Sequence, residues 1–81
     1  MNQTLSSERI LADVAEILGC DTSEIGPEDN LFDLGMDSVR LMTLTERWRS
    51  AGASGLELPD LAEQPELAHW TRLLTGKRDS P

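Results

Sequence analysis

At 81 residues, 38% of them apolar, the chain has room for one domain with a small core and no room for two. Only Phe32, Trp48 and Trp70 are aromatic and tyrosine is absent, so the core must be built mainly from Leu, Ile, Val, Met and Ala, a composition that favours helices over sheets. Fifteen acidic against seven basic side chains, a net charge of −8, argue against nucleic acid or an anionic membrane as partner, and no apolar run approaches the roughly 18 residues that span a bilayer.

The first helix is expected to begin after Ser6 or Ser7, either of which can cap it, and to run to about Leu18 with Ile10, Leu11, Val14, Ile17 and Leu18 on one stripe before Gly19 ends it. Residues 19–36 contain Gly19, Gly26, Pro27 and Gly35 without a sustained period and read as a long loop. Loops of that length in small domains are functional or disordered. Here Ile25, Leu31, Phe32, Leu34 and Met36 are available as apolar anchors, so an ordered connection is expected. The second helix is expected from Asp37, whose carboxylate can cap it, to about Ala51 before Gly52, with Val39, Leu41, Met42, Leu44 and Trp48 on a wide apolar face. Pro59 and Pro65 suit first turns, which places a short third helix over residues 60–64 and a fourth over residues 66–75. Leu67, Trp70, Leu73 and Leu74 give the fourth helix a buried stripe, Gly76 a stop, and residues 77–81 a polar tail. A single domain over residues 1–81, with a folded core of about 6–76, is the resulting organisation.

Charge is unevenly placed. Residues 1–37 hold nine acids and only Arg9, whereas residues 38–81 hold six of each sign, so the acidic excess precedes Ser38. Asp21, Glu24, Glu28, Asp29 and Asp33 lack the spacing of a calcium loop and read as a solvated surface that can steer basic partners. His69, the one histidine, has no ligand-spaced companion, which leaves no metal site; Cys20, the one cysteine, cannot form an internal disulfide and reads as a small loop hydrophobe. Neither builds a catalytic dyad with Ser38. No charged-then-apolar leader opens the chain, so the cytoplasm is the expected location.

The run Leu31-Phe32-Asp33-Leu34-Gly35-Met36-Asp37-Ser38-Val39-Arg40-Leu41-Met42 resembles the attachment motif of acyl and peptidyl carrier proteins, and the order helix, long loop, helix, short helix, helix resembles their fold. By itself a serine after an aspartate at a helix start is an ordinary cap; the surrounding loop and element order reverse that reading. The resemblance implies an all-α, four-helix carrier bundle, monomeric and non-catalytic, with 4′-phosphopantetheine joined covalently to Ser38 and Asp37 in support. It implies as partners a phosphopantetheinyl transferase, an adenylating ligase, and a downstream condensing, transferring or tailoring enzyme. Asp37 to Met42, Glu46-Arg47-Trp48-Arg49, Leu61-Ala62-Glu63-Gln64-Pro65 and Trp70 are similar to aryl carrier domains of nonribosomal peptide pathways, which implies an aryl cargo held as a thioester. Such domains are often fused to an isochorismatase domain; a standalone carrier is expected here. An amino acid or aliphatic acyl cargo is the alternative within the family, and an acidic helical adaptor without cofactor the alternative outside it. Val39 and Met42 fit either a core stripe or apolar contacts for partner enzymes. Arg40 stands where fatty-acid carriers usually have an acid, and with Val39 and Met42 it makes up the expected partner interface.

Overall fold

The structure, a computed structural model, describes residues 5–75. It contains four helices, α1 (Ser7–Leu18), α2 (Ser38–Ser50), α3 (Leu58–Ala62) and α4 (Leu67–Thr75), with single 3-10 turns at Thr22–Glu24 and Leu31–Leu34 and no strand among the described residues. This is the expected all-α bundle with a long first loop and a short third helix. α1 packs against α2 and α4, and α3 packs against α2.

Local chemistry sets the helix ends. Ser6 Oγ accepts the Arg9 N–H at 3.1 Å to open α1. Gly19 closes it at φ 75°, donating to the Ala15 and Glu16 carbonyls. α3 opens with a reciprocal cap between Glu57 and Asp60 and carries Pro59 in its first turn. The expected boundary there was residues 60–64; the helix starts two residues earlier because Glu57 caps it in partnership with Asp60. Pro65 lies before α4 rather than within its first turn. The expected stop at Gly76 and tail over residues 77–81 lie outside the described residues.

Two tryptophans form the centre. Trp48 on α2 and Trp70 on α4 are fully buried, meet edge to face with centroids 6.0 Å apart, and are surrounded by Ile10, Val14, Leu41, Leu44 and Leu61. A buried indole N–H needs an acceptor. Trp70 Nε1 donates to the Leu61 carbonyl at the end of α3, 3.0 Å away, and Trp48 Nε1 donates to Asp13 Oδ2 at 2.8 Å. Asp13 is thus a buried carboxylate on α1, held also by Arg47 (3.3 Å) and Arg9 (3.4 Å). Every buried side-chain nitrogen and oxygen among the described residues has a partner. Leu73, expected on the buried stripe of α4, is instead exposed, because Leu67 and Trp70 already fill the side that α4 turns to the core.

The first loop is ordered, as expected. Ile25, Leu31 and Met36 are buried. Two backbone bonds join the loop to the α3–α4 connection and to α4 itself: Leu31 N–H donates to the Pro65 carbonyl at 2.9 Å, and Ala68 N–H of α4 donates to the Pro27 carbonyl at 2.8 Å. The second satisfies a first-turn amide of α4 that has no partner within its own helix.

Removing the Asp13 carboxylate leaves a buried indole N–H unpaired. Asp13→Ala is therefore expected to lower unfolding free energy by roughly 1 to 3 kcal/mol in urea titrations, whereas Glu16→Ala, which loses only an exposed contact to Arg47, is expected to cost less than about 1 kcal/mol. Equal losses for the two would remove Asp13 from the framework of the fold.

Candidate functional site

The chain approaches α2 through a sequence of local devices. Asn30 Oδ1 accepts the Phe32 N–H at 2.9 Å and starts the 3-10 turn. Gly35 ends that turn at φ 115°. A Cβ at Gly35 would meet only Leu18 Cδ2 at 3.8 Å, an ordinary contact, so the backbone angle and not space requires glycine. Met36 then anchors the chain in the core and donates its N–H to the Leu31 carbonyl at 3.1 Å.

Asp37 is the N-cap of α2, with extended backbone and with Oδ1 accepting the Arg40 N–H at 2.9 Å. Ser38 is consequently the first residue of the helix, and it is exposed. Among the described residues its hydroxyl makes no hydrogen bond. A hydroxyl in this position is open to a modifying enzyme, and the adjoining first-turn amides favour the negative charge that a phosphodiester brings. The described residues thus fit a phosphopantetheine arm. What they offer such a group at Ser38 is an exposed hydroxyl and a favourable helix end.

Val39 and Met42 are 70% and 53% exposed, while Leu41, Leu44 and Trp48 of the same helix are buried. Val39 and Met42 are therefore not part of the buried stripe of α2. Phe32 and Leu34, expected to be anchors, are 41% and 37% exposed. A single 3-10 turn has one inward side, and Leu31 occupies it fully. Four apolar side chains therefore flank Ser38 in the chain without being buried, two before it and two after it. Sequence reasoning missed the first two; the clue was that one turn supplies three apolar residues for a single inward side.

Asp21, Glu24, Glu28, Asp29 and Asp33 are all exposed. Arg40 is exposed but bonded to the backbone around it: its Nε donates to the Ile17 carbonyl at 3.1 Å and its Nη1 to the Gly35 carbonyl at 3.3 Å and to Asp37 Oδ2 at 3.0 Å. Cys20 is half-buried beside the core, and its thiol is pushed above its ordinary range by burial first and then by Glu24 and Asp21. His69 is half-buried on α4. No helix among the described residues is long and apolar enough to cross a membrane.

Residues 8–74 match the family model described as phosphopantetheine attachment site. Phenyloxazoline synthase MbtB of Mycolicibacterium paratuberculosis is 43% identical over 75 residues, which cover 91% of this chain and 6% of that protein. An isochorismatase of Bacillus subtilis is 43% identical over 70 residues, covering 86% of this chain and 22% of that protein. The acyl carrier protein ScoB of Streptomyces coeruleorubidus is 36% identical over 78 residues, covering 96% of this chain and 91% of that protein. The chain thus spans a small fraction of the first two relatives and nearly the whole of the third. No solved structure gives a significant match.

Exposure separates the two faces of α2 energetically. Val39→Ala and Met42→Ala are each expected to change unfolding free energy by less than about 0.5 kcal/mol, against roughly 2 to 5 kcal/mol for Leu44→Ala, in parallel denaturant titrations. A core-sized loss at Met42 would return it to the buried stripe.

Proposed function

Because the chain belongs to the phosphopantetheine attachment site family, whose members bear 4′-phosphopantetheine covalently, we propose that Ser38 is the attachment residue and that the protein carries an acyl group as a thioester on the arm. The observation that carries this reading is the exposed, unbonded Ser38 hydroxyl at the first turn of α2, behind a cap that fixes where the helix begins. The protein performs no chemistry on its cargo. It is the substrate of a phosphopantetheinyl transferase, of an adenylating ligase that loads the arm, and of a condensing, transferring or tailoring enzyme that unloads it, and it works in the cytoplasm. Tethering serves these partners by holding a reactive ester at high local concentration beside whichever enzyme is docked.

The cargo we propose is an aryl acid in a nonribosomal peptide pathway. Similarity across most of the chain to a relative named phenyloxazoline synthase supports an aromatic group, as do the Asp37 to Met42 and Glu46 to Arg49 runs. Val39, Met42, Phe32 and Leu34 are the apolar contacts offered to partner enzymes. Such surfaces tolerate several partners in turn, Met above all, because its side chain is unbranched and polarizable. The acidic loop adds long-range attraction to basic partner surfaces that salt weakens.

Intact mass after incubation with coenzyme A, magnesium and a broad-specificity phosphopantetheinyl transferase tests the attachment. The wild type is expected to gain one cofactor and Ser38→Ala none. Folded, initially unmodified protein that gains nothing would favour the cofactor-free adaptor. Loading by the cognate ligase from a panel of aromatic, amino and aliphatic acids then tests the cargo: aromatic acids are expected to be accepted, and exclusive use of aliphatic acids would overturn the aryl reading.

A further inference from the structure

Arg40 occupies a position that helix electrostatics disfavours. It is the third residue of α2, where the positive end of the macrodipole repels a cation and where capping patterns call for Glu or Gln. Something else must hold it there. Its guanidinium reaches 23 residues back in sequence, and Nε donates to the Ile17 carbonyl in the last turn of α1 at 3.1 Å. Of the carbonyls that the end of α1 leaves open, Ala15 and Glu16 are taken by the amides of Gly19 and Cys20; the Ile17 carbonyl is taken by Arg40. A cation is favourable at that negative helix end. Nη1 meanwhile donates to the Gly35 carbonyl at 3.3 Å and to Asp37 Oδ2 at 3.0 Å.

Asp37 is thereby gripped twice by one residue, by the Arg40 backbone N–H at Oδ1 and by the Arg40 guanidinium at Oδ2. The same guanidinium fastens the Gly35 turn that leads to Asp37 and the helix end behind it. The turn and the cap that immediately precede Ser38 are both fixed to this side chain, and Ser38 lies in the chain between Asp37 and Arg40.

We infer that Arg40 is a positioning residue for Ser38: by bridging the end of α1, the Gly35 turn and the Asp37 cap, it sets the backbone that presents the serine to the modifying transferase. This rests on Ser38 being the attachment residue. The planar fork is essential, because three acceptors in separate directions are reached at once. A lysine ammonium keeps the charge but not that geometry.

The test compares wild type, Arg40→Lys and Arg40→Met as apo full-length protein, after circular dichroism shows each variant folded at the assay temperature; if Arg40→Met fails to fold, Arg40→Lys alone suffices. In both variants the Met36 and Arg40 amides are expected to exchange with solvent faster by about tenfold, and kcat/KM for transfer from coenzyme A by the transferase to fall by about tenfold, the loss of two to three charge-assisted hydrogen bonds. Unchanged exchange and unchanged kcat/KM would overturn the inference while leaving the attachment reading in place. Full activity in Arg40→Lys with loss only in Arg40→Met would also overturn it, by showing that the charge faces the transferase. A wild type that accepts no cofactor would overturn the attachment reading and this inference with it.

Discussion

The bundle depends on finding acceptors for two indole N–H groups inside a core of about a dozen apolar side chains. Tryptophan supplies more buried area than any other side chain, which a domain this small needs. In return each ring brings a donor that cannot be left unpaired. Trp70 meets its need with a backbone carbonyl at the end of α3, which ties the short third helix to α4. Trp48 meets its need with the carboxylate of Asp13 on α1, which ties α2 to α1. With the two rings edge to face, four helices of modest length acquire defined relative positions through two hydrogen bonds and one ring contact.

What the bundle does not use stays at the surface next to the start of α2 in the chain. The loop after α1 spends Ile25, Leu31 and Met36 on the core and is joined by one backbone bond to the α3–α4 connection and by another to the first turn of α4. It therefore reaches α2 as an ordered chain without needing Phe32, Leu34, Val39 or Met42 for its stability. Those four remain exposed on either side of Ser38 in the chain, and the loop acids are exposed as well. Filling the core with Leu31, Met36, Leu41 and Leu44 leaves their apolar neighbours in the sequence at the surface.

Much of this was legible in the sequence because it is local. Caps at Ser6 and Asp37, the left-handed turns at Gly19 and Gly35, the bounds of α1 and α2, and the burial of both tryptophans follow from residue types within a few positions of each other. The misses depend on distant partners or on a shared inward side. α3 begins earlier than Pro59 alone implied because Glu57 and Asp60 cap each other. Phe32, Leu34 and Leu73 are apolar at positions where neighbours already fill the space facing inward. Asp13 and Arg40 were the least legible. One acid of three in an amphipathic helix reads as solvated, and only the arrival of Trp48 from 35 residues away makes it a buried acceptor. Arg40 reads as a surface charge until the end of α1 is placed within its reach.

The half-buried thiol of Cys20 bears on the durability of a tethered ester. A carrier that holds its cargo as a thioester is exposed to sulfur-to-sulfur exchange with any competent thiolate of its own, and an acyl group captured that way would be stranded on the scaffold. Burial and the neighbouring Glu24 and Asp21 push the Cys20 thiol above its ordinary range, away from the thiolate that such exchange requires. The loop acids beside the chain's single cysteine thus disfavour the nucleophilic form of a thiol that would otherwise compete for an ester proposed on the arm.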